Sequence, residues 1–223
     1  MRKLVQKRTY EVALSKAGLG PVAGVDEAGR GACAGPITIA ACVLPDKIIP
    51  GLDTLTDSKK LSAKQRESLF PIIQKHALSY AILHIGPGDI DSHGIQHANV
   101  SGMRRAVARL DVRPRYILTD ALKVPGFTAP YLPVVGGDFA IRCIAAASVL
   151  AKVSRDHIME ELEDLYPGYG LGKHKGYGTA IHTEAIKTLG ATPIHRMSYS
   201  NVAQAHLAFE MTKVNRSTVE GEI

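Results

Sequence analysis

Asp26, Glu27, Asp120 and Asp138 are the side chains best suited to chemistry, because each stands where an apolar run gives way to a glycine-rich or polar turn. Neighbouring residues of a regular strand point to opposite faces, so Asp26 and Glu27 can share an ion only if the strand breaks at or after Asp26. Gly29 and Gly31 are expected to supply that break. Three strand ends and one helix start can converge on one point at the carboxyl edge of a sheet. Carboxylates that close repel, and without a cation at least one keeps a proton. Mg²⁺ relieves the repulsion, since it takes oxygen ligands in octahedral geometry and keeps waters for substrate phosphates; Mn²⁺ accepts the same donors. Two such ions about 3.5–4 Å apart can activate a water and stabilise a leaving oxygen. The rival reading, a cap on a turn or helix, suits any one of these acids alone; their shared context favours a site.

The rest of the chain suits a polyanionic partner. Lys and Arg number 27 against 21 Asp and Glu, a formal charge of +6. Arg2, Lys3, Lys7 and Arg8 crowd the start, while Lys173, His174, Lys175, His195 and Arg196 crowd a glycine-rich stretch near the end, giving two expected phosphate-contact zones. Hydrophobic residues at 45% and charged residues at 22% belong to a globular protein rather than a disordered one. Cys33, Cys42 and Cys143 form no C-x-x-C spacing, which argues against a disulfide framework or zinc knuckle and for a reducing compartment. Glu11 and Lys16 interrupt any signal-peptide core, and no run reaches the ~18 apolar residues of a membrane span, so a cytoplasmic location is expected. Without heptads the chain is expected to be a monomer. Gly29-x-Gly31-x-x-x-Gly35 is a poor dinucleotide cradle, because it follows two acids and leads into another β-rich run.

The elements that must position these acids can be read from period and punctuation. Residues 22–26 predict a buried strand entering a sharp turn, with 37–44 as its antiparallel partner. Asp57-Ser58-Lys59-Lys60-Leu61 is a polar loop, and Ser62 with Gln65 fits a capping box opening a helix to about His76, bent at Pro71. Residues 80–85 and 116–119 are expected strands, the second running into Asp120. Between them Val100, Met103, Val107 and Leu110 recur at three and four in a helix over 96–110. A strand over 132–135 leads to Asp138, placed at or near the N-cap of one long helix over 139–165. On that helix Ser148, Lys152 and Asp156 make a polar stripe, which an ordinary Lys–Asp pair of ~0.3–0.5 kcal/mol would also explain. Composition shifts from Pro167, followed by helices over 183–189, stopped by Gly190, and 201–214, and a frayed tail over 217–223.

Val25-Asp26-Glu27-Ala28-Gly29-Arg30-Gly31 resembles the signature of the ribonuclease HII (type 2 ribonuclease H) family. Further matches follow in the family's order: Asp57-Ser58-Lys59-Lys60-Leu61-Ser62, Thr119-Asp120, Gly137-Asp138, Ala146 to Val153 with Arg155-Asp156, His174 to Thr179, and Pro193-Ile194-His195-Arg196. The resemblance covers about residues 22–200. It implies an α/β, ribonuclease H-like fold: a mixed five-stranded sheet flanked by helices, with a helical C-terminal segment completing the substrate groove. The whole chain would be one catalytic domain, with its core over about residues 20–165 and the helical segment over 166–223.

The activity so implied is metal-dependent cleavage of RNA in RNA–DNA hybrids and nicking 5′ of single ribonucleotides in duplex DNA, leaving a 3′-hydroxyl and a 5′-phosphate. Asp26, Glu27, Asp120 and Asp138 match the family's metal-binding acids, with Mg²⁺ or Mn²⁺ as the cofactor. Gly29, Arg30 and Gly31 match its turn for the ribose 2′-hydroxyl, and Tyr177 matches its junction-reading tyrosine, for which a half-buried loop aromatic is the plainer alternative. Ser58, Lys59, Ser148, Lys152, His174 and Lys175 would handle phosphates or brace the loop that does. Gly136 departs from the pattern, since many relatives carry lysine there. A sister ribonuclease HIII would need a further N-terminal platform, for which a first strand near residue 22 leaves no room, and intact acids argue against a catalytically silent nucleic-acid binder. Contact of the tail with a sliding clamp is left open.

Overall fold

The computed structural model describes residues 5–220. Five strands, β1 (Val22–Ala28), β2 (Ile37–Val43), β3 (Ser79–Ile85), β4 (Tyr116–Asp120) and β5 (Tyr131–Val134), form one sheet in the order β3-β2-β1-β4-β5. β1 is antiparallel to β2 and parallel to β4, and β4 is parallel to β5, so the sheet is mixed as expected. The helices in chain order are α1 (Thr9–Lys16), α2 (Ala63–His76), α3 (Pro87–His93), α4 (Ile95–Ala108), α5 (Gly137–Ala140), α6 (Arg142–Leu165), α7 (Leu171–His174), α8 (Ala180–Leu189) and α9 (Ser200–Glu220). Among the described residues no helix is long and apolar enough to cross a membrane.

The chain separates into two compact units. One takes the chain up to Ala28, Thr38–His84 and Asn99–Ser154; the other takes Gly29–Ile37, Ile85–Ala98 and the chain from Arg155. The first unit packs Ala145, Ala146, Val149, Leu150 and Val153 of α6 against Ala40, Cys42 and Leu44 and against Leu69 and Ile73 of α2, all buried. Close approach to β1 needs Gly24, where a Cβ would overlap the backbone of Cys143 and Ile144. The second unit has its own core of Cys33, Met159, Tyr169, Leu171, Ile186 and Val202.

Local sequence explains most of these elements. Ser62 accepts the Gln65 amide and Gln65 returns a side-chain bond to the Ser62 amide, the expected capping box of α2, with Pro71 carried inside the helix. The expected single helix after Asp138 is broken: Ile141 is extended (φ −127°, ψ 123°) between α5 and α6. Asp138 therefore lies within the first turn of α5, and the cap is Gly136 in the left-handed region (φ +67°). Just beyond the break, the buried Arg142 donates to the carbonyls of Pro45 and Lys47. α1, α3 and α7 carry no signal that period or capping reasoning caught; Arg8, before α1, makes no capping bond. α9 runs on to Glu220 where a frayed tail was expected from Ser217, and residues 221–223 lie outside the described residues.

In the two expected phosphate zones several of the basic side chains are engaged by the fold, while Lys173 is exposed. Lys7 donates to the Phe139 carbonyl at 2.6 Å and to Thr56 Oγ1 at 2.9 Å, Arg8 donates to the Asp46 carbonyl, and Arg2 and Lys3 lie outside the described residues. His195 and Arg196 are buried.

Candidate active site

β1 and β4 run parallel with Val25 opposite Thr119, which puts Asp26 and Asp120 one step further at the same end of the ladder. β4 and β5 pair Asp120 with Val134, and the Gly136-Gly137 turn then brings Asp138 back. Gly137 donates its N–H to Asp120 Oδ1 at 2.8 Å, and a Cβ there would stand 2.6 Å from Ile144 Cδ1. β1 stays paired through Ala28, so its break comes at Gly29, beyond both acids. The break thus falls at the first of the two glycines expected to supply it, and Asp26 and Glu27, still within the strand, leave it from opposite faces.

Asp26 is only 6% exposed. Burial raises its carboxyl well above the usual carboxylate range, and the charges of Glu27 and Asp120 add to the shift. The Ser148 hydroxyl and the Glu27 N–H, 2.8 Å from Oδ1, oppose it. Ser58 Oγ lies 2.9 Å from Ser148 Oγ, so the pair forms a hydroxyl chain in which Ser58 donates to Ser148 and Ser148 to Asp26. Both serines are buried, a bracing place rather than an open contact for substrate.

Asp138 is also raised, first by burial, then by the charges of Asp120 and Asp57 and by a hydrogen bond with the Asp57 carboxyl. Lys59 opposes the shift, its exposed ammonium 3.6 Å from Asp138 Oδ2. Partial burial works against the Lys59 charge, but Asp138, Asp26, Asp57 and Asp120 together raise its pKa. Asp57 is thus a fifth carboxylate of the cluster, which sequence reasoning left as an ordinary loop residue; it also caps the turn before α2 by accepting the Lys59 N–H at 2.9 Å. Its position directly before Ser58-Lys59 was the available signal. Lys152 lies half-buried on α6, one turn after Ser148.

Among the described residues no three His, Cys, Asp or Glu side chains stand in ready metal-ligating geometry. Asp26, Asp120 and Asp138 are instead engaged by protein donors. The donor chemistry nevertheless fits a hard divalent cation: oxygen ligands only, at least two of them destabilised as anions by burial and by one another, with an ammonium already drawn to them.

The second unit holds a turn of opposite electrostatics. Gly29 has φ +85°, and a Cβ there would overlap the Arg155 side chain. Buried Arg155 donates to the carbonyls of Pro36, Ala34 and Lys175 at 2.9, 3.1 and 2.9 Å. Buried Arg196 donates to Gly29, Arg30 and Gly35 carbonyls at 2.8–3.1 Å and to the Tyr199 hydroxyl at 3.1 Å. Burial lowers the pKa of both guanidinia, that of Arg155 to about 10. The Gly176 carbonyl accepts the Cys33 N–H at 2.8 Å, tying the turn to the next motif.

Arg30 itself is exposed and donates to Gln96 Oε1 at 3.0 Å, while Gly31 has open space where a side chain would be. Tyr177 is 41% exposed, with the Arg155 guanidinium 5.7 Å from its ring centroid. Lys175 pairs with Glu160 at 2.6 Å, and His174 accepts the Gly176 N–H, so both brace the Tyr177 loop.

The family model described as Ribonuclease HII matches residues 23–202. The ribonuclease HII of Corynebacterium diphtheriae is 63% identical over 206 residues, covering 92% of this chain and 90% of that one. The crystal structure of ribonuclease H2 from Pyrococcus horikoshii superposes with a TM-score of 0.73 at 29% identity, over 85% of this chain and 98% of that one. Bst-RNase HIII in complex with Mn²⁺ shares the fold, with a TM-score of 0.71 at 20% identity over 89% and 74% of the two chains.

Proposed function

From the premise that this chain belongs to the ribonuclease HII family, and is a nuclease of the ribonuclease H class, we propose that it cuts on the 5′ side of ribonucleotides. Its substrates are RNA–DNA hybrids and single ribonucleotides within duplex DNA. The observation that carries this reading is that Asp26 and Asp138 are each raised by burial and by the charge of Asp120 between them in the cluster, with Lys59 drawn to Asp138.

Asp26, Glu27, Asp120 and Asp138 would hold the divalent cations. Bound there, a pair of Mg²⁺ or Mn²⁺ ions supplies charge neutralisation at the scissile phosphate and a water acidic enough to attack it. The protein's own groups set the conditions for that chemistry. Ser148 and the Glu27 N–H hold Asp26 in one orientation, and Gly137 N–H does the same for Asp120. The Lys59 ammonium is long and exposed enough to shift from Asp138 to a phosphate oxygen once other cations neutralise the acids. In the second unit the Gly29-Arg30-Gly31 backbone, fixed from behind by Arg155 and Arg196, suits close approach to a ribose, and its 2′-hydroxyl distinguishes RNA from DNA. The Tyr177 ring offers a flat face for the sugar beyond the junction.

The test is a nicking assay on end-labelled duplex DNA containing one ribonucleotide. The expected result is a single cut 5′ of that residue, giving a 3′-hydroxyl and a 5′-phosphate, with Mg²⁺ or Mn²⁺ and none in chelator. Cleavage without divalent ion, or none with it, overturns the reading.

A further inference from the structure

Three histidines of the second unit, His174 of the Tyr177 loop with His182 and His195, form a hydrogen-bonded and stacked set. His182 is fully buried, and its Nδ1 lies 3.0 Å from the Tyr177 carbonyl oxygen. A carbonyl only accepts, so Nδ1 carries the hydrogen and Nε2 of the neutral ring is an acceptor. That Nε2 stands 3.2 Å from His195 Nε2. His195 Nδ1 receives the Thr192 N–H at 3.0 Å, with the Thr192 hydroxyl also at 3.0 Å and the Thr192 carbonyl farther, at 3.3 Å. Its hydrogen therefore sits on Nε2 and is donated to His182. His174 stacks on His182 with centroids 4.6 Å apart, receives the Gly176 N–H at Nδ1 and donates from Nε2 to the Tyr169 carbonyl at 2.8 Å.

Backbone groups thus dictate one tautomer for each ring. A second proton on His182 Nε2 would meet the hydrogen of His195, and one on His195 Nδ1 would meet that of Thr192. The chain ends on the main chain of Tyr177, whose side chain is half-exposed while its neighbour Gly176 is buried. The Tyr177 carbonyl also accepts the Thr179 N–H at 2.8 Å, so one main-chain donor and one side-chain donor, His182, together set its orientation and with it the direction of the ring. On its other side the Tyr177 N–H donates to the main-chain carbonyl of His174 at 3.0 Å.

We propose that His182 is a positioning residue for substrate choice: its Nδ1–H fixes the Tyr177 carbonyl and so aims the Tyr177 ring, while His195 fixes the tautomer that makes His182 a donor there. The proposal rests on the reading of Tyr177 as the junction-sensing side chain. It assigns to His182 no contact with substrate.

Asn and Gln variants separate this role from mere packing. The Asn side-chain nitrogen is as many bonds from Cα as His Nδ1, whereas that of Gln is one bond further, at the place of Nε2. His182→Asn should keep the native ratio of single-ribonucleotide to long-hybrid cleavage within about twofold, while His182→Gln should lower that ratio about tenfold, as loss of one neutral hydrogen bond would. Equal losses on both substrates in both variants, or a native ratio in His182→Gln, overturn the proposal. Tyr177→Ala is run beside them: a selective loss there with unaltered ratios in the His182 variants defeats this proposal alone, and an equal loss on both substrates in Tyr177→Ala defeats the junction reading and this proposal with it. Imidazole ¹⁵N–¹H correlation spectra of the native protein give a readout that no unfolded variant can obscure. Nδ1–H at His182 and Nε2–H at His195 are expected, and Nε2–H at His182 overturns the assignment.

Discussion

The acid cluster of the first unit and the arginine-held turn of the second handle buried charge in opposite ways. In the first, Asp26 and Asp138 are buried near other acids, and the fold leaves their repulsion largely uncompensated, apart from Lys59 and a few hydrogen bonds. In the second, Arg155 and Arg196 are buried more deeply, yet their guanidinium N–H groups reach backbone carbonyls around one turn. Buried charge whose partners are all supplied by the fold serves structure; buried charge left short of partners waits for something from outside. The first arrangement suits cation binding and chemistry, the second a rigid template.

The largest effect expected from this contrast is at Asp120. Asp120→Asn keeps the shape and an oxygen for the Gly137 N–H but removes the charge. Turnover with Mg²⁺ should fall by about a thousandfold or more, the several kcal/mol of charge stabilisation that a bound cation supplies, while duplex affinity stays within a few-fold. Nicking rates and fluorescence anisotropy measure the two. The variant should also be no less stable than the native protein, since it relieves repulsion; a drop in melting temperature would mean that the acid serves the fold.

Arg196 should behave in the reverse manner. Arg196→Met leaves the carbonyls of Gly29, Arg30 and Gly35 without their buried donor and should cost about 3–5 kcal/mol of stability in denaturant unfolding. Lys should not rescue it, because one ammonium cannot replace a planar fork that serves several carbonyls at once. A loss under about 1 kcal/mol would show that water satisfies those groups as well and that the turn is not held as described.

The difference between the units also governs what the sequence disclosed. Asp26, Glu27, Asp120 and Asp138 announced themselves because an acid after an apolar run breaks a pattern; the strands and the antiparallel β1–β2 pair were legible from apolar runs and glycine punctuation, whereas the full order of the sheet comes from the fold. Asp57 escaped, since an acid before Ser-Lys is the ordinary makeup of a loop, and only the fold brings it to Asp138. The arginine brace escaped for a different reason: Arg155 and Arg196 are 41 positions apart, and a basic residue near glycine reads as a phosphate contact until burial is known. Likewise no period reveals that Ile141 splits the long helix, because an apolar, buried residue there fits a continuous helix equally well.

A smaller effect separates two glycines of the same turn. Gly29→Ala meets both a positive φ and the Arg155 side chain, and should cost about 1–3 kcal/mol of stability. Gly31→Ala projects into open space and should leave stability within about 0.5 kcal/mol. If the turn meets a ribose, Gly31→Ala should still impair cleavage at a lone ribonucleotide, so its activity and its stability come apart while those of Gly29→Ala fall together. Parallel melting curves and nicking rates on the two variants make the measurement, and a stable, fully active Gly31→Ala removes the turn from substrate contact.

The mildest expected effect is with pH, and its sign differs between the units. Burial, with the neighbouring His182, lowers His195 from 6.5 to about 4, so between those values the unfolded chain binds a proton that the folded one refuses. Stability from this group is fully present above pH 6.5 and is lost as pH falls toward 4. Asp26 and Asp138 are raised above the usual 3.8, so the folded chain takes up their protons first, and the stability they contribute is present at low pH and lost as pH rises. Amide hydrogen exchange at pH 7 and pH 5, corrected for intrinsic rates, should show protection falling around His182 and His195 while the amides of β1 and β4 hold theirs. Uniform loss across both units would mean that they open as one, and that the opposed charge environments do not govern their separate stabilities.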